Sequence, residues 1–150
     1  MENSSKLHID FGIPEHGWLP TIFKYQDYIL EVEISDVPLD PMVQLCDALI
    51  QINKGIKEPN RIIWHLEPYC YYLQLLIFDG QYKAVILESD EFDSPSTVTK
   101  EILGNFESII LPLYRGLKKF WSQSFKKPHW DELNSERIDE LTKLIKEKRT

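Results

Sequence analysis

The sequence predicts an α+β domain: an antiparallel sheet of about five strands in the order β-β-α-β-β-β-α-α, helices packed on one face, and a long C-terminal helix kinked at Pro112. Three observations lead there. Residues 61–88 carry three strand patterns in succession. A helical stripe bracketed by Asp40-Pro41 and Gly55 separates them from earlier strands. From Val98 onward, apolar residues step by three and four. No Gly-rich phosphate loop follows a strand, which argues against a doubly wound fold.

In chain order, "LHIDF" is a candidate first strand before the Gly12/Pro14 break, and "TIFKYQDYILEVEIS" reads as two more. In the second of these, Leu30, Val32 and Ile34 share one face and Ile29, Glu31 and Glu33 the other, the period of a half-buried strand. The helix at about 41–54 has Asp40 as N-cap, Pro41 in the first turn and Gly55 as its stop. Met42, Leu45, Cys46, Leu49 and Ile52 form its apolar stripe, so Cys46 reads as a core thiol.

Strands are expected at 62–66, 71–78 and 81–88. Asp79-Gly80 is a two-residue hairpin turn, because both positions tolerate positive φ, and it sets Phe78 opposite Gln81 and Leu73 opposite Ile86. Pro68 forbids a primed turn between the first two strands. A four-residue loop, Glu67 to Cys70, then sets Leu66 opposite Tyr71 and Trp64 opposite Leu73. One meander face is apolar (Ile62, Trp64, Leu73, Leu75, Ala84, Ile86) and is the core face. The other mixes Arg61, His65 and Lys83 with Ile63, Tyr72, Leu76, Phe78, Val85 and Leu87, more apolar area than a bare solvated face shows.

"DEFDSPST" separates residues 1–92, mainly sheet plus one helix, from a helical tail at 94–150 within one domain. In the tail Val98, Ile102, Phe106, Ile109, Leu113, Leu117 and Phe120 keep phase through Pro112, predicting one kinked helix. A final helix puts Ile138, Leu141, Leu144 and Ile145 inward, with Lys143, Lys146, Lys148 and Arg149 toward its C-terminus.

With 150 residues, 43% of them apolar, the chain can bury one core. No apolar run is long enough to span a membrane. The start "MENSSKLHID" does not read as a secretory signal, and two cysteines form no disulfide framework, so a cytoplasmic setting is expected. Charge is uneven. Residues 1–113 carry 18 acidic against 7 basic side chains, residues 114–130 five basic and no acidic, and the net charge is −7. An acidic body repels nucleic acid and attracts cationic partners.

Candidate chemistry is sparse. "WHLEPYC" offers His65, Glu67 and Cys70, but a zinc deaminase needs a later Pro-Cys-x-x-Cys and a structural zinc four ligands. The expectation is the rim of a sheet, with no metal and no cofactor. No nucleophile elbow occurs, and the acid pairs Glu31/Glu33 and Glu88/Asp90 read as solvated strand faces. In "YRGLKKFWSQSFKKPHW", Arg115, Lys118, Lys119, Lys126 and Lys127 interleave with Tyr114, Phe120, Trp121, Phe125 and Trp130, a pattern that can bind single strands or simply end a helix. The remaining reading is protein binding. Glu31, Glu33, Asp36, Glu88, Asp90, Glu91 and Asp93 supply an acidic rim, and Tyr72 and Phe78 supply apolar contacts.

The stretches "HGWL" (16–19), "SDVPLDPMVQLCDALIQI" (35–52) and "WHLEPYCYYLQL" (64–75) resemble small bacterial cytoplasmic proteins that are similar to immunity partners of polymorphic-toxin and contact-dependent growth inhibition systems. The likeness covers most of residues 16–92 and brings no catalytic set. It implies a non-enzymatic protein that neutralises a toxin by binding it. The partner expected is a cationic toxin domain, such as a nuclease, encoded nearby. The alternatives are a small enzyme with a dispersed active site and a nucleic-acid-binding module using residues 114–130.

Overall fold

A computed structural model describes residues 5–123, 125, 127–132 and 134–149. Lys126 of the basic segment lies outside the described residues. Alternation along the chain produces one antiparallel sheet of seven strands in sequential order: β1 (His8–Phe11), β2 (Trp18–Tyr25), β3 (Tyr28–Ser35), β4 (Asn60–His65), β5 (Cys70–Phe78), β6 (Gln81–Ser89) and β7 (Thr97–Gly104). Three α-helices accompany it: α1 (Pro41–Asn53), α2 (Leu111–Trp121) and α3 (Ser135–Arg149).

The sheet is not flat. β3 meets β4 only at Ser35–His65, and there the two parts diverge. The amide of Ile63, on the edge of β4 that β3 leaves open, donates to Gln44 Oε1 of α1 at 3.0 Å, so a helix side chain replaces a missing ladder partner. At the far end of β3 the Tyr28 hydroxyl lies 3.4 Å from Thr99 Oγ1 of β7. Strands β3 and β7 are four positions apart in the ladder, a span of roughly 19 Å if flat. The sheet therefore curls back over its own inner face.

That inner face is the core. Phe23, Ile34, Ile62, Trp64, Leu73, Leu75, Ala84, Ile86 and Ile102 pack against Leu45, Leu49, Ile109, Leu113, Leu117 and Leu141 of the helical segments. α1 lies on β4 and β5, with α3 beside it and α2 against both α1 and β1. Gly116 permits the last contact: a Cβ there would sit 2.7 Å from Ile9 Cγ2. The α1 stripe of Met42, Leu45, Cys46, Leu49 and Ile52 is buried as expected, and Asp40 caps the helix by accepting from Met42 N at 2.8 Å and, more loosely, Val43 N.

The Asp79-Gly80 hairpin has the predicted register, with positive φ at both residues. Three expectations need correction. The described residues hold seven strands in the order β-β-β-α-β-β-β-β-α-α rather than about five in the order β-β-α-β-β-β-α-α, because β1 and β7 add an edge strand at each end of the ladder. The β4–β5 loop is Leu66–Tyr69, closed by Leu66 N donating to Tyr69 O at 2.7 Å, so His65 pairs with Cys70, Trp64 with Tyr71 and Ile62 with Leu73. The offset from the expected pairing is two residues, which leaves each side chain on its expected face. Cys70 belongs to the strand because it fills the outer-face cluster of Ile63, Tyr72, Val85 and Leu87.

The larger correction is β7. The expected single helix kinked at Pro112 begins instead as an edge strand, Thr97–Gly104, paired with β6. Thr97, Val98 and Thr99 are β-branched and favour the pleated form. A bulge opposite Ile86/Leu87 turns Val98 outward and Ile102 inward. Gly104 ends the strand, and Asn105 caps a π-helical turn (Phe106–Ile110) through a reciprocal pair of hydrogen bonds with Ser108. Pro112 lies in the first turn of α2, directly after the π-helical turn. Ile110 and Leu111 are both in the αR region and Leu111 N donates to Phe106 O, so the helical path is continuous from Phe106 to Trp121. The change from π to α spacing falls at the residue that has no N–H to donate.

Candidate functional site

Among the described residues, the outer-face cluster of β4–β7, made of Ile63, Cys70, Tyr72, Val85, Leu87 and Leu76, includes only strand residues. Its apolar margin is open to water. Phe78 is 47% exposed, Leu103 47% and Val98 48%. Lys83 lies over the Phe78 ring, 4.1 Å from its centroid, and pairs with Glu101 across the ladder at 3.4 Å. Phe78 is thus open to solvent. Tyr72 is not: it is 7% exposed, Arg61 lies 5.1 Å over its ring, and its hydroxyl accepts from Asp93 N at 3.4 Å. It holds the 90–96 loop against the sheet.

The acidic residues come from different elements. Glu31 and Glu33 are exposed on β3, whereas Asp90, Glu91 and Asp93 project from the β6–β7 loop. Glu88 is occupied, with Oε2 accepting the Tyr69 hydroxyl proton at 2.6 Å. That bond, together with the carboxylate charge, pushes the Tyr69 phenol up to about 12, because ionisation would set two anions against each other. Asp36 sits at the end of β3. Its carboxyl is raised first by burial, then by the charges of Asp131 and Glu67.

The strand ends do converge elsewhere. Val37, Pro38, His65, Glu67, Pro68, Glu91 and Phe92 line an open cleft of about 680 Å³. His65 Nδ1 is 3.1 Å from Val37 O, and its ring meets Phe92 edge-on at 6.4 Å. Glu67 Oε2 accepts from Ser35 Oγ at 2.6 Å. Both Val37–Pro38 and Glu67–Pro68 peptide bonds are cis. Cys70 is buried and donates to the Pro68 carbonyl, its thiol raised by burial and by Glu91. His65, Glu67 and Cys70 thus each face a different partner, and no group of three or more such side chains is placed to share a metal among the described residues.

Sequence reasoning missed this cleft because its walls come from three separated segments. Two X-Pro steps beside acidic residues, Val37-Pro38 after Asp36 and Glu67-Pro68, were the available signal.

The basic segment is dispersed. Phe120 packs with Phe125 and Trp130 at centroid distances of 5.0 and 6.0 Å, and both Phe120 and Trp130 are buried, so neither offers a stacking surface. Lys119 pairs with Asp10 and Lys127 with Asp131. Trp130 Nε1 donates to Asp40 Oδ1 at 3.3 Å, tying this segment to the start of α1. Cys46 is a core thiol, raised by burial to about 11.

No helix among the described residues is long and apolar enough to cross a membrane. No family model, curated protein or solved structure shows significant similarity to this chain.

Proposed function

We propose that the chain is a non-enzymatic binding protein, an immunity protein that neutralises a cationic toxin domain by direct contact. The observation that carries this reading is the outer sheet face. Phe78, Val98 and Leu103 are each about half exposed there, no helix among the described residues joins its cluster, and the carboxylates of Asp90, Glu91 and Asp93 stand at one end. An apolar surface with an acidic border matches a partner that carries a basic surface around apolar contacts. A nuclease is such a partner, because it needs cationic side chains to hold phosphates. Covering or neighbouring that surface excludes its substrate.

Charge sets encounter and apolar contact sets residence in this scheme. The test is association with the cationic domain encoded beside this chain, measured at two ionic strengths. Asp90, Glu91 and Asp93 reversed to lysine should slow association roughly 10-fold or more at low salt and flatten its salt dependence. Glu88 is left intact because it holds Tyr69. Phe78→Ala should mainly speed dissociation. Association of the triple variant at the native rate at low salt would overturn the steering role.

A further inference from the structure

Resting on that reading, we propose that the cleft between Val37–Pro38 and Phe92 seats one arginine side chain of the cationic partner. The chemistry of the lining selects this group. Its walls are apolar and wet: Val37 is 52% and Phe92 44% exposed, with Pro38 and Pro68 alongside. Two carboxylates, Glu67 and Glu91, line it, and among the described residues no lysine or arginine does. Glu67 has one oxygen held by Ser35 Oγ, which orients the carboxylate and leaves Oε1 for a ligand.

A guanidinium suits this pairing of surfaces. Its flat faces stack on aromatic and proline rings, while its edge donates to carboxylates in a fixed fork. An ammonium has no flat face and holds its water more tightly. Asp36, next in the chain to Val37, brings a further carboxyl near the cleft; it is raised first by burial and then by Asp131 and Glu67, with Lys127 opposing. At about 680 Å³ the cleft admits a whole arginine head and stem, whose methylenes would cover Val37 and Phe92.

The experiment is titration of the ¹⁵N-labelled chain with N-acetyl-arginine amide and, separately, N-acetyl-lysine amide. Arginine amide should shift the amides of Val37, His65, Glu67 and Phe92 saturably. Lysine amide should bind roughly threefold more weakly, the scale of one cation–π contact. The double variant Glu67→Gln, Glu91→Gln should lose the shifts while the rest of its spectrum superimposes on the native one. Phe92→Ala should keep residual binding but lose the preference for arginine. Shifts spread over the whole acidic surface, equal binding of the two probes, or retention in the double variant would each overturn the proposal. The probe needs no partner, so the two readings fail separately. Steered association with an unseated arginine sinks the cleft alone. A seated arginine with association indifferent to salt sinks the toxin-binding reading and leaves the cleft.

Discussion

Asp40 carries two structural duties through one oxygen, and removing it should expose both. Oδ1 caps α1 at Met42 N and Val43 N and accepts the indole proton of Trp130, which is 1% exposed. Losing the cap costs about 1 kcal/mol. Leaving a buried indole N–H unpaired costs about 1–3 kcal/mol more. Against this, burial raises the Asp40 carboxyl above its ordinary value, so its ionised form is partly disfavoured in the fold. A group raised in this way lends its full stability below the unfolded value of 3.8 and loses it as pH climbs through the folded value. At neutral pH, Asp40→Ala should therefore cost about 2–3 kcal/mol after that offset. Asp40→Asn keeps a cap and an acceptor without the charge. It should cost under about 1 kcal/mol at neutral pH, and its stability relative to the native chain should improve as pH rises from below 3.8. Urea unfolding of a cycle with Trp130→Phe isolates the shared bond: Asp40→Ala should cost about 1–2 kcal/mol less in the phenylalanine background. Equal cost in both backgrounds would mean that the 127–130 segment is not seated on the start of α1.

Gly116→Ala should destabilise by about 1–3 kcal/mol despite the better helix propensity of alanine, because the new Cβ meets Ile9 Cγ2 at 2.7 Å and Ile9 O at 3.3 Å; a stabilised variant in thermal melts would refute that close approach. Tyr69 should titrate near 12 by ¹³C NMR of its ring and fall toward 10 in Glu88→Gln, since a neutral amide no longer opposes ionisation; the bond's contribution is present below pH 10 and fades as pH rises through 12. Both thiols should resist a neutral-pH disulfide reagent until the chain unfolds, Cys46 with its thiol at about 11 most of all, and immediate labelling of the native protein would contradict their burial.

Where local chemistry is strong, the fold was legible. Asp79-Gly80 admits one register, and Asp40-Pro41 with Gly55 marks a helix at both ends. β7 was not legible because a step of four, such as Val98 to Ile102, fits a strand's period of two as well as a helix's 3.6. Between them, Thr99 is the extra residue of the bulge that places the two apolar side chains on opposite faces, and no local pattern announces it. The β4–β5 register slipped by two because proline excludes a primed turn without saying which residues form the longer one.

The candidate site was legible in kind more than in place. Phe78 and the 90–93 acids are exposed as expected, whereas Tyr72 is spent on Asp93 N and Glu88 on Tyr69. Glu67 and His65 drew attention as metal ligands, yet they meet Val37 and Phe92 where the ends of β3, β4, β5 and β6 lie side by side, through Ser35–His65, His65–Cys70 and Cys70–Ser89, a long-range pairing invisible in any one stretch.

As the last strand of the ladder, β7 is paired on one side only, which leaves one row of its main-chain donors and acceptors outside the sheet's pairing. Such a row invites a second molecule to add its own copy of the strand, the first step toward filaments. The middle of β7 discourages it. Of the two symmetric antiparallel registers centred there, one sets Lys100 against Lys100 and the other Glu101 against Glu101. Like charges directly opposite are unfavourable, and the bulge bends the edge away from a straight template. A chain with an exposed apolar sheet face is thereby discouraged from pairing along its own margin. Replacing Lys100 with valine would remove that safeguard in one register and should show itself in storage as light scattering rather than as a change in the melting curve.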